Sequence, residues 1–290
     1  MSLAPLLLLI LPLVLFVAQL LLRKRLGEAS SLRKRFKQDR PPSPGLTPWT
    51  TEVDLSTHPL FHAPGLLAPL DAEPYFLVLD TETREAIDEA PAEAVSQALP
   101  SPSPVIALTW QVLDEDGQLM SEEYHLLRQE GRITPEATRL HGLSEEDLRA
   151  GGEAPRLVLE RFLRVTARAK VLVAHHLRFH RAMISADLEA LGLPKADLLD
   201  REGYCTMEGG KALGFKRRRS GEASYPRLSE LFGQLYYERP HLALRYQEKG
   251  LRDVRLCSTC LRALLRLPSY RPLSSLHPRA DEDEFSWGGR

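Results

Sequence analysis

The fold is decided by Tyr75-Phe-Leu-Val-Leu-Asp-Thr-Glu-Thr83, an apolar run that ends on the two acids Asp80 and Glu82. Side chains alternate along a β-strand, so these two carboxylates are expected on the same side of the strand's end. Neighbouring carboxylates repel each other unless a cation lies between them, and hard divalent cations prefer oxygen ligands. The stretch therefore predicts a metal site at the end of a buried strand. A strand followed by an exposed acidic turn is the alternative.

The composition indicates one globular domain with appendages. The 290 residues carry a formal net charge of -1, and 43% of them are hydrophobic, which is ample for a core. The near-neutral charge argues against a generally basic nucleic-acid coat, although local basic patches are compatible with it. The three cysteines, Cys205, Cys257 and Cys260, have no spacing typical of a disulfide framework. We therefore expect a reducing compartment.

The N-terminus carries a predicted membrane span. The stretch from Leu3 to Leu22 has no charged residue and is about the 20 residues long that a helix needs to cross a bilayer. Arg23-Lys-Arg25 follows at once, and such a basic flank tends to stay in the cytoplasm. These features predict a single-pass protein of the plasma (inner) membrane, with the rest of the chain on the cytoplasmic side. A cleaved signal peptide and a buried helix are the alternatives.

Shifts in composition divide the chain into four predicted segments. They are a membrane anchor with its basic flank (1–26), a linker (27–70), a globular domain (71–268) and a disordered acidic tail (269–290). The linker is basic and then rich in proline, and the tail contains Asp281-Glu-Asp-Glu284. A peptide that docks on a partner is the alternative for the tail.

Within the domain, periodicity predicts a meander of three strands followed by alternating helices and strands. The second and third strands are expected at Val105–Leu113 and Leu119–Leu127, on either side of the turn Asp114-Glu-Asp-Gly117. Thr134-Pro-Glu136 is typical of a helix start, and Gly142 of a helix end. The later predicted elements are helices at Pro155–Ala169, Phe179–Leu191 and Leu251–Leu265 and a buried strand at Val171–Ala174.

Four stretches, in this order, carry a resemblance to a known family. They are Asp80-Thr-Glu82, Ile133-Thr-Pro-Glu-Ala-Thr-Arg-Leu-His-Gly142, Val171-Leu-Val-Ala-His175 with Phe179, and Gly250-Leu-Arg-Asp253. Together they resemble the 3′-to-5′ exonucleases related to the proofreading epsilon subunit of DNA polymerase III, over about residues 71 to 266. The resemblance implies an α/β fold with a ribonuclease H-like core, in which helices flank a mixed five-stranded sheet.

The resemblance also implies metal-dependent cleavage at the 3′ ends of single-stranded DNA or RNA. The family uses two divalent ions, Mg²⁺ or Mn²⁺, which in such sites lie about 3.5 to 4 Å apart and stabilise both the attacking and the leaving oxygen. Asp80, Glu82 and Asp253 match three of the family's four metal-binding acids. The other matched positions imply substrate contacts by Thr83, His141, His175 and Phe179.

Two catalytic positions depart from the family's pattern. His180 stands where the third acid is expected, and Asp187 is about 10 Å further along the helix at 1.5 Å per residue. Imidazole suits Mn²⁺ or Zn²⁺ better than Mg²⁺, so His180 is a candidate substitute ligand. Glu248 occupies the position of the general base, where nearby cations would lower its pKa. His241 and Tyr246 are alternative proton acceptors.

The sequence leaves two functions open. The first is a membrane-anchored, metal-dependent exonuclease that uses Asp80, Glu82 and Asp253. The second is a catalytically weakened or inactive module that binds nucleic acid or a protein partner at the membrane, and it is favoured by the departures at His180 and Glu248. The basic run Lys216-Arg-Arg-Arg219 is compatible with phosphate binding and with a solvated loop.

Overall fold

The computed structural model describes residues 51–57, 68, 71–86, 105–246 and 250–266. The predicted membrane span, Glu248, the acidic tail and most of the predicted linker lie outside these ranges. In the part of the chain that is described, no helix combines the length and the apolar character needed to cross a bilayer. The predicted anchor and the predicted localisation stay predictions.

A mixed sheet of five strands forms the centre of the fold. The strands in the described ranges are β1 (Glu52–Asp54), β2 (Phe76–Thr83), β3 (Val105–Leu113), β4 (Leu119–Leu126), β5 (Val171–Ala174), β6 (Glu202–Cys205) and β7 (Ala243–Arg245). The central sheet has the order β4-β3-β2-β5-β6; β2 pairs antiparallel with β3, and β5 and β6 run parallel to β2. The predicted mixed sheet and its opening meander are confirmed.

Helices flank this sheet, as predicted. Those of the described residues are α1 (Pro135–His141), α2 (Glu145–Gly151), α3 (Pro155–Arg168), α4 (Leu177–Ala190), α5 (Ala196–Leu199), α6 (Thr206–Ala212), α7 (Leu228–Tyr237) and α8 (Arg252–Leu265). The predicted end signals of α1 are confirmed: the Thr134 hydroxyl accepts a hydrogen bond from the Ala137 amide at 3.2 Å, and Gly142 ends the helix with a φ of 72°. Helix α4 begins two residues before its predicted start, after a left-handed turn at His176.

Side chains along β2 point alternately into two hydrophobic cores, one on each face of the sheet. Phe76 and Val78 pack with residues of α7 and α8, whereas Leu77 and Leu79 pack with residues of α3 and α4. Because side chains alternate, the carboxylates at positions 80 and 82 belong to the face that α8 covers. The hydroxyl of Thr81 belongs to the face that α4 covers. The end of β2 thus presents different chemistry to the two helices.

Residues 51–57, which fall within the predicted linker, pack on the domain. Strand β1 pairs in parallel with β7 and leads into a 3₁₀ turn at Leu55–Thr57. Val53 and Leu55 are buried in the core on the α8 side of the sheet. The predicted domain start near residue 71 therefore leaves out a packed segment. A three-residue strand is too short to show a periodic signal in the sequence.

Candidate metal and nucleic-acid site

Three carboxylates come together where β2 ends and α8 begins. Asp80 and Glu82 lie on β2, and Asp253 lies in the first turn of α8. One carboxylate oxygen from each of the three lies within 4.8 Å of the other two. The structure thus brings together the three acids that the sequence predicts as metal ligands.

Gly250 fixes the start of α8 against the sheet. The Thr109 hydroxyl on β3 donates a hydrogen bond of 2.8 Å to the Gly250 carbonyl. Gly250 has a φ of 79°, and a Cβ atom at this position would overlap the ring of Tyr124 on β4. Only glycine allows both this backbone conformation and this close approach. The two contacts hold the residue three positions before Asp253, so they set where its carboxylate meets Asp80 and Glu82.

The three acids strongly disfavour being charged together. Burial, followed by the charges of Glu82 and Asp253, raises the pKa of Asp80 well above its usual range. Burial and the charge of Asp253 raise the pKa of Glu82 from 4.5 to about 8. A group with such a pKa holds a proton near neutral pH unless a cation replaces it. The site therefore favours either protons or a cation between these oxygens.

The donor set fits one divalent metal ion. All three side chains are oxygen donors, they are partly buried, and they converge from two rigid elements. Hard divalent cations such as Mg²⁺, Mn²⁺ and Ca²⁺ bind through oxygens of this kind. In the described part of the chain, this is the one group of three or more acidic, histidine or cysteine side chains with metal-binding geometry. The three carboxylates could hold one ion, and their chemistry leaves open which divalent metal it is.

An arginine adjoins the acid cluster. The Nε atom of Arg252 donates a hydrogen bond of 2.9 Å to Oδ1 of Asp253. The positive charge of Arg252 lowers the pKa of both Asp80 and Glu82, against the larger raising effects. Its side chain is 47% exposed, so the guanidinium lies at the mouth of the site rather than inside it. The sequence analysis missed this residue, although its position directly before Asp253 at a helix start was a usable signal.

His180 is buried next to Asp80, and both of its ring nitrogens are engaged. Nε2 lies 3.0 Å from the His175 carbonyl oxygen, which can only accept, so Nε2 carries the hydrogen. Burial lowers the pKa of His180 to about 3, so the ring is neutral and Nδ1 accepts from the Thr81 hydroxyl at 2.8 Å. Nε2 lies 3.6 Å from Oδ1 of Asp80. In this arrangement His180 has no lone pair for a metal, in contrast to its predicted role as a substitute ligand.

His175 is also neutral and engaged on both sides. Its Nε2 donates to the Pro226 carbonyl at 3.0 Å, and its Nδ1 lies 3.0 Å from the Thr206 hydroxyl. Burial lowers the pKa of His175 to about 4. The side chain therefore joins β5 to α6 and to the segment before α7. This arrangement makes His175 a structural bridge beside the site, and its predicted contact with substrate stays a prediction.

The other predicted substrate contacts lie on three different elements, β2, α1 and α4. The ring of Phe179 stacks on His176 and meets His180 edge-on at a centroid distance of 5.3 Å. Thr83 is buried at the end of β2 and donates a 2.7 Å hydrogen bond to the Glu85 carbonyl. His141 is the last residue of α1, and its Nδ1 accepts from the Leu143 amide at 3.0 Å. Thr83 is thus adjacent to Glu82 on β2, and Phe179 contacts His180, whose ring lies next to Asp80.

Tyr124 is a further site residue that the sequence analysis missed. Burial, then the charges of Glu82 and Asp147, raise its pKa to about 12. It lies on β4, two strands away from β2 in the sheet. Nothing in the sequence around Tyr124 distinguishes it from the other half-buried residues of β4, since its importance arises from its contact with Gly250.

The residues that flank Glu248 are held on both sides, although Glu248 itself lies outside the described residues. The guanidinium of Arg255 bonds to the Tyr246 hydroxyl and makes two hydrogen bonds, of 2.6 and 2.8 Å, to the Glu122 carboxylate. On the other side, Gly250 is fixed by Thr109. Tyr246 is thus linked through Arg255 to Glu122 on β4, and Gly250 is linked to Thr109 on β3.

Comparison with solved structures shows that this chain shares its fold with exonuclease I. The shared part is the domain built on the mixed five-stranded sheet with its flanking helices. The matched structures are of exonuclease I. A product-bound form matches at a TM-score of 0.51 and 14% identity, over 67% of this chain and 43% of that one. The E. coli enzyme in complex with a dA16 oligonucleotide matches at a TM-score of 0.51 and 14% identity, over 67% of this chain and 41% of that one.

The likeness to exonuclease I is limited to the fold. A zinc-bound form of the complex of E. coli exonuclease I with single-stranded DNA matches at a TM-score of 0.50 and 15% identity. This chain spans less than half the length of the exonuclease I structures that it matches: 43% of the product-bound form and 41% of the dA16 complex. No protein-family model matches the chain, and no curated protein sequence does.

Proposed function

We propose that this chain is a metal-dependent 3′-to-5′ exonuclease, related to the epsilon-type exonucleases, that removes nucleotides from the 3′ ends of single-stranded DNA or RNA. The observation that carries the proposal is the cluster of Asp80, Glu82 and Asp253 oxygens within 4.8 Å of one another. The cluster lies at the end of the central strand of a fold shared with exonuclease I. Three converging carboxylates on such a fold are the arrangement that phosphodiester hydrolysis with a divalent metal needs.

Different residues of the chain would have different roles in the proposed reaction. Asp80, Glu82 and Asp253 would hold a divalent ion, which when bound neutralises phosphate charge and lowers the pKa of a water molecule. His141 and Phe179 would contact the terminal nucleotide. Glu248 would accept the proton of the attacking water, because the two nearby histidines, His175 and His180, already use both ring nitrogens. The family's second ion would lack a ligand at position 180.

The test is a nuclease assay on the full chain in lipid nanodiscs. A 5′-labelled single-stranded 20-mer of DNA or RNA is incubated with Mg²⁺, Mn²⁺ or no metal. We expect a ladder that shortens from the 3′ end in a metal-dependent way, and Asp80→Asn should remove it. A substrate with a blocked 3′ end is the matched control for polarity. Shortening no faster than that of the Asp80→Asn variant in every metal would contradict the proposal.

A second candidate function is a binding module that retains the nuclease fold. It is favoured by His180, whose buried, neutral ring cannot supply the fourth ligand in this geometry. Such a module would hold one metal ion and bind single-stranded ends without turnover. Calorimetric titration with Mn²⁺ in the presence and absence of an uncleavable oligonucleotide distinguishes the two functions. One ion in both cases favours the module, and a second ion that enters with the nucleic acid favours the enzyme.

We further propose that residues 1–26 anchor the protein in the plasma (inner) membrane, with the domain on the cytoplasmic side. The support is the uncharged stretch from Leu3 to Leu22 followed by Arg23-Lys-Arg25. The full chain should float with membranes after a carbonate wash, and removal of residues 1–26 should release it. A chain that is extracted by carbonate would contradict this part of the proposal without affecting the nuclease test.

A further inference from the structure

Arg252 places a positive charge where three carboxylates meet. Its Nε atom is 2.9 Å from Oδ1 of Asp253, and the charges of Asp80 and Glu82 also stabilise its guanidinium. An arginine at this point competes with any metal for Asp253, because both are cations that seek the same carboxylate oxygen. This competition lowers the affinity of the site for metal unless the arginine binds another group when the metal is bound.

Within the described residues, the Nε atom of Arg252 is the one donor of this side chain that makes a hydrogen bond. The ion pair uses Nε, and the described part of the chain provides no hydrogen bond to either terminal nitrogen of the guanidinium. The side chain is 47% exposed and therefore has room to turn at the mouth of the site. A guanidinium has a fork of donors that matches a phosphate group well. Arg252 can thus bind a phosphate that approaches the acid cluster from solvent.

We propose that Arg252 binds a phosphate group of the nucleic acid and, in doing so, releases Asp253 for the metal ion. This inference rests on the proposed function, since it names a residue that recognises the substrate of that site. In the free protein Arg252 pairs with Asp253 and weakens metal binding. When the nucleic acid is bound, the guanidinium contacts its phosphate and the Asp253 carboxylate turns fully to the ion.

The exchange couples the two ligands. If nucleic acid removes Arg252 from Asp253, then nucleic acid raises the affinity for metal, and metal must raise the affinity for nucleic acid by the same factor. This coupling between metal binding and nucleic-acid binding requires Arg252 and does not come from the carboxylates alone. A protein without this guanidinium should bind metal more tightly when free and should lose most of the coupling.

The experiment compares the full chain with Arg252→Gln and Arg252→Lys. Mn²⁺ affinity is measured by calorimetry, and the binding of a fluorescent single-stranded 12-mer with a 3′-terminal phosphorothioate is measured by anisotropy. Arg156→Gln is the matched control: Arg156 is 50% exposed and pairs with Glu160 at 3.5 Å on α3, on the other face of the sheet. Unlike Arg252, it lies far from the acid cluster in the topology.

Arg252→Gln should raise the affinity for Mn²⁺ and lower the affinity for the 12-mer. Mn²⁺ should bind the free variant about threefold or more tightly, because a competing charge is gone. The 12-mer should bind about tenfold more weakly, and the dependence of log affinity on log salt should fall by about 0.7, the slope for one lost phosphate contact on a single strand. Arg252→Lys should restore the charge effect on Mn²⁺ and only part of the oligonucleotide affinity. Arg156→Gln should change neither.

Each alternative outcome overturns a different statement. If the unaltered protein shortens DNA or RNA but Arg252→Gln binds the 12-mer as tightly, the inference fails and the proposed function stands. If the unaltered protein binds the 12-mer through Arg252 but cleaves nothing, the proposed turnover fails and the inference stands. A merely structural Arg252 would lower the melting temperature in the variant and leave the oligonucleotide affinity unchanged. A protein that does not bind the 12-mer at all overturns both.

Discussion

The two faces at the end of β2 differ in how their polar groups are satisfied. On the α8 face, Asp80, Glu82 and Asp253 crowd three negative charges together, and the pKa of Glu82 rises to about 8. On the α4 face, Thr81 and His180 form a neutral, saturated hydrogen-bond network. The α8 face favours protons or a cation between its oxygens, whereas the α4 face needs neither. The difference indicates that the acid cluster on the α8 face could bind a metal ion, whereas Thr81 and His180 on the α4 face already satisfy each other.

Removing an acid from the α8 face should have the largest effect. Asp80→Asn is expected to abolish metal binding and to lower any nuclease rate about 10³-fold or more, because a bound ion supplies several kcal/mol of charge stabilisation. The metal-free variant should melt at a higher temperature than the unaltered protein, since one repelling carboxylate is gone. Calorimetry and thermal melts measure both effects, with Asp197→Asn, an exposed aspartate on α5, as the control. A lower melting temperature for the metal-free variant would contradict the repulsion.

An acid at position 180 should give the α4 face a carboxylate that can bind metal, as the α8 face has. His180→Asp adds a fourth carboxylate next to Asp80, and we expect the Mg²⁺ stoichiometry to rise from one to two and any nuclease rate to rise about 10²-fold. Without metal the variant should be less stable, because a further buried charge joins the cluster and the Thr81 contact is lost. His180→Asn is the neutral control and should bind one ion. Equal stoichiometry in both variants would show that position 180 does not limit the second ion.

Moving Asp253 should weaken the α8 face without changing its charge. Gly250→Ala forces a Cβ into the ring of Tyr124 at a φ of 79°, which should cost about 2 to 4 kcal/mol of unfolding free energy and lower the metal affinity. Gly192→Ala is the matched control, since Gly192 has a φ of 64° with nothing within 4 Å, and it should cost about 1 kcal/mol. Urea unfolding and Mn²⁺ titration measure the two effects. Equal costs for the two glycines would rule out a special role for the Tyr124 contact.

The pH dependence of stability should also come from the α8 face. The pKa of Glu82 is about 8 in the folded domain and near 4.5 when unfolded, so the folded state binds the extra proton between these values. The metal-free protein should therefore lose stability as the pH rises from about 5 to about 8. Saturating Mg²⁺ should flatten this slope, and so should Glu82→Gln. Thermal melts across this range provide the check, and an equally steep slope in Glu82→Gln would assign the proton elsewhere.

Local patterns in the sequence predicted much of the fold and half of the site. The run before Asp80, the turn at Gly117 and the cap at Thr134 depend on neighbours within a few residues, so their chemistry is visible in the chain itself. Strand β1 and helix α7 were missed, the first because three residues carry no period. The predicted convergence of Asp80, Glu82 and Asp253 came from a family resemblance and not from local pattern.

The hydrogen bonds of the site could not be predicted from the sequence. The protonation of His180 depends on the Thr81 hydroxyl and on the carbonyl of His175, which lie on different elements. The role of Tyr124 depends on its approach to Gly250 across more than 100 residues of chain. Such contacts are decided by tertiary packing, and the residue types alone allow several other pairings.

Strand β1 also bears on how the protein can be produced for these experiments. Val53 and Leu55 fill part of the core under α8, and Arg245 on β7 forms a 2.8 Å ion pair with Asp54. A truncated form that begins at residue 71 would expose this apolar surface and leave β7 as an unpaired edge, which favours aggregation. Soluble expression should therefore begin at or before Thr51. A domain cut at residue 71 would fail for reasons of colloidal stability and not of chemistry.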